Sequence, residues 1–129
     1  MASEFYSTFI GMPYELSGNG KDGQGIDCYE LVVQLGQHYG FNYPTPQYEY
    51  DIPSRNSVAD SNRKFFTRID LPRFGDIIAI KIGCFVAHIG FMINHYQFIH
   101  AIKEHGVTIS RVDSIKYRNR IEGYYRCKN

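Results

Sequence analysis

Apolar residues early in the chain recur at helical intervals. Cys28, Leu31, Val32, Leu35 and Tyr39 follow i, i+3, i+4, i+7, i+11 spacing, which is one face of an α-helix. Asp27 precedes the run as an N-cap, Glu30 stands three residues later as a capping box requires, and Gly40 supplies a stop. The pattern predicts a helix with Cys28 as its first residue, on the side turned to the core. Upstream, residues 1–12 read as a short helix with Phe5, Phe9 and Ile10 on its apolar side, broken by Gly11-Met12-Pro13-Tyr14. Residues 17–25, Ser-Gly-Asn-Gly-Lys-Asp-Gly-Gln-Gly, read as a mobile loop. Lys21 is followed by Asp22 rather than Ser or Thr, so this is not a phosphate-binding loop.

Beyond the helix, Phe41 to Pro46 contains two prolines and must be extended or turned. Residues 55–67 read as a second, weaker helix with Val58, Phe65 and Phe66 inward, announced by Pro53 and Ser54. From Leu71 the period changes. Pro72 to Gly75 is a turn, and strands are expected over Asp76–Ile82, Ala87–Ile93, Gln97–Ile102, Val107–Arg111 and about Ile121–Arg126. Gly83-Cys84, Asn94 to Tyr96 and Glu104 to Gly106 punctuate them. Helices followed by about five antiparallel strands indicate an α+β fold.

Composition narrows the function classes. The 129 residues suffice for one domain, 1–129, with one core. A net charge of +1 gives no electrostatic case for nucleic acid or a membrane surface. The basic residues near the C-terminus alternate with Glu104, Asp113 and Glu122, as on a solvated face. The cysteines, 28, 84 and 127, are odd in number and lack a CxxC pair, which argues against a disulfide framework or a structural zinc site. No transmembrane-length apolar run occurs, and the first residues do not resemble a signal peptide.

Cys28 carries the candidate chemistry. At a helix start, unbonded backbone N–H groups and the helix dipole favour a thiolate, and can hold an oxyanion formed on a substrate. The Asp27 carboxylate opposes thiolate formation, although capping turns it towards the helix amides. Alone, such a cysteine reads as a small buried hydrophobe. Two histidines change the picture. His88 and His100 lie on consecutive predicted strands, an even twelve residues apart. An odd-length loop puts both on one sheet face within roughly 5–8 Å at Cβ, whereas a two-residue loop puts them on opposite faces. With both histidines on one face, Cys28 at the helix start, His88 and His100 make a nucleophile, a base and a residue that orients the base. The alternatives are structural strand histidines, or a Cys28/His88/His100/Cys127 metal site, which lacks closely spaced ligands.

Taken together, Gly11-Met12-Pro13-Tyr14, Gly25-Ile26-Asp27-Cys28, Phe74 to Ile78, Ala87 to Phe91 and Phe98 to Ala101 resemble, in order, the motifs of the NlpC/P60 cysteine peptidases. The resemblance covers Gly11 to about Arg126. It is strongest to the phage-tail branch, through the aromatic Tyr29 after the cysteine, the proline-containing segment after the helix and the ending Gly123-Tyr124-Tyr125-Arg126. It implies a papain-like fold with N-terminal helices on a roughly five-stranded antiparallel sheet. It also implies cleavage of peptidoglycan stem peptides, typically at the γ-D-glutamyl–diaminopimelate bond. By motif, Cys28 is the nucleophile, His88 the base and His100 the third polar residue. Tyr14 lines the cleft and offers its phenol to an oxyanion, and Asp27 and Tyr29 are further substrate-side candidates. The pair Tyr29-Glu30 departs from the usual residues after the cysteine, which bears on substrate contacts more than on chemistry.

The resulting expectation is a phage tail-tip endopeptidase for local wall penetration, without metal or cofactor. Its partners would be a peptidoglycan stem peptide and other tail-tip proteins, with no nucleic acid and no membrane insertion. It would be made in the host cytoplasm without a signal peptide, reside in the virion tail and act in the host cell envelope. The rivals are a structural or plug protein of the tail with the same fold and little activity, and a cytoplasmic amidase or thiol transferase.

Overall fold

A computed structural model describes residues 2–21, 23–41, 66–82 and 85–127. The N-terminal helix is a 3-10 helix, Ala2–Phe9. The predicted amphipathic helix, α1, spans Cys28–Tyr39 and buries Leu31, Val32 and Leu35. Gly40 ends it in the left-handed conformation (φ 86°), its N–H bonded to the Gly36 carbonyl.

Six strands follow: β1 (Phe66–Ile69), β2 (Ile77–Ile82), β3 (Phe85–Met92), β4 (Gln97–Ile102), β5 (Gly106–Arg111) and β6 (Ile121–Cys127). They form one sheet in the order β1-β6-β2-β3-β4-β5, with every pairing antiparallel. The α+β class holds, with six strands rather than five. The additional strand is β1, which takes the last two residues of the expected 55–67 helix. Phe66 and Thr67 pair with Cys127 and Arg126. A four-residue edge strand has too few alternating positions to announce itself, and its partner lies about sixty residues further on. The rest of that expected helix, 55–65, and the Gly83-Cys84 break lie outside the described residues.

The sheet divides two apolar clusters. On one face, Leu31, Val32 and Leu35 of α1 meet Ile77, Phe91, Ile99, Ala101 and Val107. On the other, Ile78, Ile80, Met92 and Phe98 meet Tyr117 from the 112–120 turn. This is the period-2 alternation of strands covered on both sides. The described residues of the 17–25 segment are held by backbone hydrogen bonds. Gly20 N–H donates to the Gly25 carbonyl, Asp27 N–H to the Gly18 carbonyl and Ser17 N–H to Asp27 Oδ2. Its glycines permit close backbone approach: a Cβ on Gly25 would lie 2.3 Å from the Pro13 carbonyl oxygen. Among the described residues, no helix is long and apolar enough to cross a membrane.

Candidate active site

Two tethers fix which way α1 lies along the sheet. At its C-terminal end, the Tyr39 ring packs 5.9 Å from Phe91 and 4.8 Å from Phe74, and Phe41 lies 6.2 Å from Phe91. Gly75 N–H bonds to the Met92 carbonyl beside them, so this end of α1 sits at the Met92 end of β3. At its N-terminal end, Ile26 N–H donates to the Pro13 carbonyl at 2.9 Å, and Val107 N–H donates to the Met12 carbonyl at 2.9 Å. Val107 pairs with Ala101, the neighbour of His100. The start of α1 is therefore held at the end of β3 and β4 that carries His88 and His100. α1, about 18 Å long, packs along β3.

Asp27 positions Cys28 within this arrangement. Asp27 is 1% exposed, and its Oδ1 accepts from Glu30 N–H at 2.9 Å while Oδ2 accepts from Ser17 N–H at 2.7 Å. One carboxylate thus caps the helix and anchors the preceding loop. The expected capping box is only half made. Asp27 N–H goes to the Gly18 carbonyl, and the Glu30 carboxylate receives Gln34 Nε2 at 3.4 Å. Cys28 is buried at 2% exposure and carries a thiol, as does Cys127.

The histidines meet directly. β3 and β4 pair at Phe91↔Ile99 and Met92↔Phe98, leaving the odd-length connection 93–97. His88 and His100 therefore share the face of Met92 and Phe98, on diagonal positions. Their rings approach with His88 Nε2 2.7 Å from His100 Nδ1. His100 is fully buried, with its Nε2 2.8 Å from Ser110 Oγ. The Phe98 ring lies 4.5 Å and the Tyr117 ring 5.3 Å from the His100 ring, centroid to centroid. Burial, then the neighbouring His88, then Lys116 hold its pKa down at about 2, from an ordinary 6.5. His100 is a neutral imidazole near neutral pH.

Of the other residues singled out in the sequence, Tyr14 forms a parallel bridge with Ile26, two residues before Cys28. Tyr29 is 8% exposed and packed inside. Cys127 pairs with Phe66 at the β1–β6 edge, and among the described residues no cluster of His, Cys, Asp and Glu is placed to hold a metal ion. Ser110, Lys116 and Tyr117 escaped the sequence reading. Ser110 was accessible to the same parity argument as the histidines. The β4–β5 turn, 103–105, is odd in length, and an even interval separates Ser110 from His100.

The family profile described as NlpC/P60 matches residues 11–126. The chain belongs to the NlpC/P60 family. It is 30% identical over 116 residues to the Escherichia coli K12 protein named murein DD-endopeptidase MepS/murein LD-carboxypeptidase, covering 89% of this chain and 55% of that relative. This chain thus spans about half the length of the curated relative it matches. Among solved NlpC/P60 structures, a Bacillus cereus family protein superposes with a TM-score of 0.73 at 20% identity, covering 99% of this chain and 39% of that one. The NlpC/P60 domain of the peptidoglycan hydrolase SagA gives 0.62 at 17% identity, covering 94% and 92%. At these identities the structures establish the fold.

Proposed function

We propose that this NlpC/P60 protein is a cysteine endopeptidase that cleaves peptidoglycan stem peptides, at the γ-D-glutamyl–diaminopimelate bond. One observation carries the reading: the 2.7 Å His88–His100 contact lies at the end of the sheet where Cys28 opens α1. The relatives named as murein and peptidoglycan hydrolases support the substrate class.

In this mechanism His88 Nε2–H is anchored on His100 Nδ1, and His88 Nδ1 takes the thiol proton of Cys28. The thiolate attacks the scissile carbonyl carbon. Backbone amides at the start of α1 and the Tyr14 phenol receive the developing oxyanion. The tetrahedral adduct collapses as His88 returns its proton to the leaving amine, giving a thioester. Water, deprotonated by His88, hydrolyses it and regenerates the thiol. Asp27 serves by fixing the helix start, and Tyr29 by packing. The setting we propose is a phage tail tip, with neighbouring tail proteins as partners and the host envelope as the place of action. Its support is the resemblance of Tyr29 and the Gly123 to Arg126 ending to that branch.

The test is mass spectrometry of a diaminopimelate-containing stem peptide incubated with the protein and with Cys28→Ala. Cleavage after D-glutamate by the unmodified protein alone supports nucleophile and bond together. An intact peptide with Cys28 still rapidly alkylated redirects the search to another amide. An intact peptide with an inert Cys28 favours the structural tail protein.

A further inference from the structure

The imidazole pair has a third member, Ser110, whose Oγ lies 2.8 Å from His100 Nε2. We propose that Ser110 is a positioning residue: its Oγ accepts the proton on His100 Nε2, which leaves His100 Nδ1 as the acceptor for His88 Nε2–H. The inference rests on the proposed reading of Cys28 and His88 as nucleophile and base.

Charge sets the direction of the chain. When His88 holds the thiol proton it is an imidazolium, with two N–H donors and no acceptor. Its Nε2–H points at His100 Nδ1, 2.7 Å away, so that nitrogen must present a lone pair. His100 is neutral and carries one proton, which must then sit on Nε2. Nε2 faces Ser110 Oγ at 2.8 Å. The described elements around His100 agree with a neutral ring. β3 contributes His88, β4 Phe98, β5 Ser110, and the 112–120 turn Tyr117 and the cation of Lys116. Among the described residues, the interactions at the ring include no carboxylate, the group that would hold it as an imidazolium. A serine hydroxyl supplies an acceptor without a charge, matching an orienting residue that must stay neutral.

With the opposite tautomer, His100 Nδ1–H confronts His88 Nε2. His88 then keeps its single proton on Nδ1, the nitrogen that must receive the thiol proton, and the base is lost. Removing the Ser110 hydroxyl leaves the required Nε2–H as a buried donor with no acceptor at that position, which penalises the productive tautomer.

The experiment compares the full chain with Ser110→Ala and Ser110→Thr, the latter retaining a hydroxyl. Long-range 1H–15N NMR correlations read the His100 tautomer directly, without reference to any substrate. The expected result is Nε2–H with bare Nδ1 in the unmodified protein and in Ser110→Thr, and a mixed or reversed tautomer in Ser110→Ala. The rate of iodoacetamide alkylation at Cys28 against pH, read on the Cys28 peptide, is expected to shift to higher pH in Ser110→Ala. On stem peptide, kcat falls by about tenfold with KM within about twofold, and Ser110→Thr recovers most of the loss. A proton on His100 Nδ1 in the unmodified protein overturns the proposal. So does a tautomer and alkylation profile unmoved by Ser110→Ala. If the tautomer and the alkylation profile shift as expected but no stem peptide is cut, the Ser110 inference stands and the substrate reading fails.

Discussion

Asp27 shows how one buried side chain does two jobs that sequence spacing divides differently. The spacing of Asp27 and Glu30 suggested a reciprocal box, but Asp27 N–H goes to the Gly18 carbonyl, while the aspartate accepts from backbone amides on both of its oxygens. Asp27→Ala should therefore cost about 1–3 kcal/mol in urea denaturation, because it removes a helix cap and also strands the Ser17 amide. Glu30→Ala should cost no more than about 0.5 kcal/mol, as befits a half-exposed side chain outside the cap. His100 makes a second prediction. Its folded pKa is depressed to about 2, so between there and 6.5 the unfolded chain binds a proton that the folded protein refuses. Stability must fall as pH drops below 6.5, with a limiting slope of about 1.4 kcal/mol per pH unit from this group. Denaturation at pH 7, 5 and 4 should show a steeper acid loss in the unmodified protein than in His100→Gln. Equal slopes would mean that His100 is protonated when folded.

Among the elements, β2 and β6 are joined by more than their ladder. Asp76, 2% exposed and immediately before β2, receives Arg126 Nε at Oδ1 and Arg126 NH2 at Oδ2, both at 2.9 Å, as well as Arg73 N–H at 2.8 Å. A buried carboxylate held this way is costly to disturb on one side only. Arg126→Ala should destabilise the fold by about 2–4 kcal/mol in thermal or urea unfolding, and Asp76→Asn, which keeps the volume, by less. The strand pattern itself was readable. All five expected strands end within two residues of their predicted limits, and Gln97–Ile102 coincides with β4, because alternation in a sheet covered on both faces leaves a dense apolar signature. β1 was not readable, since a four-residue edge strand is specified by its partner rather than by its own residues.

Across the whole molecule, the start of α1 and the histidine strands are brought together by a short strap. Gly11 N–H bonds to the Val107 carbonyl, Val107 N–H to the Met12 carbonyl, and Ile26 N–H to the Pro13 carbonyl. Gly106, at φ 74°, passes so close beneath the strap that a Cβ would lie 2.3 Å from the Met12 carbonyl oxygen. Gly106→Ala must displace this backbone, and with it the register between Cys28 and the histidines. Peptidase turnover should drop by roughly tenfold or more, since misplacing reacting groups by an ångström is costly. Cys28 alkylation at neutral pH should slow in parallel. Retained turnover would mean that the strap does not set the active geometry.

The sequence by itself determined the α+β class, the helix beginning at Cys28, its stop at Gly40 and the strands carrying His88 and His100. Each of these is written in local periodicity and in short-range backbone chemistry. The ordered motifs also carried the family. The tertiary structure alone decided that the β3–β4 connection is odd and puts both imidazoles on one face. It alone placed the start of α1 at their end of the sheet, and it alone turned Ser110 towards His100. Those facts depend on register and on contacts between residues far apart in the chain. A shift of one position would reverse which face every side chain occupies while leaving the local pattern unchanged.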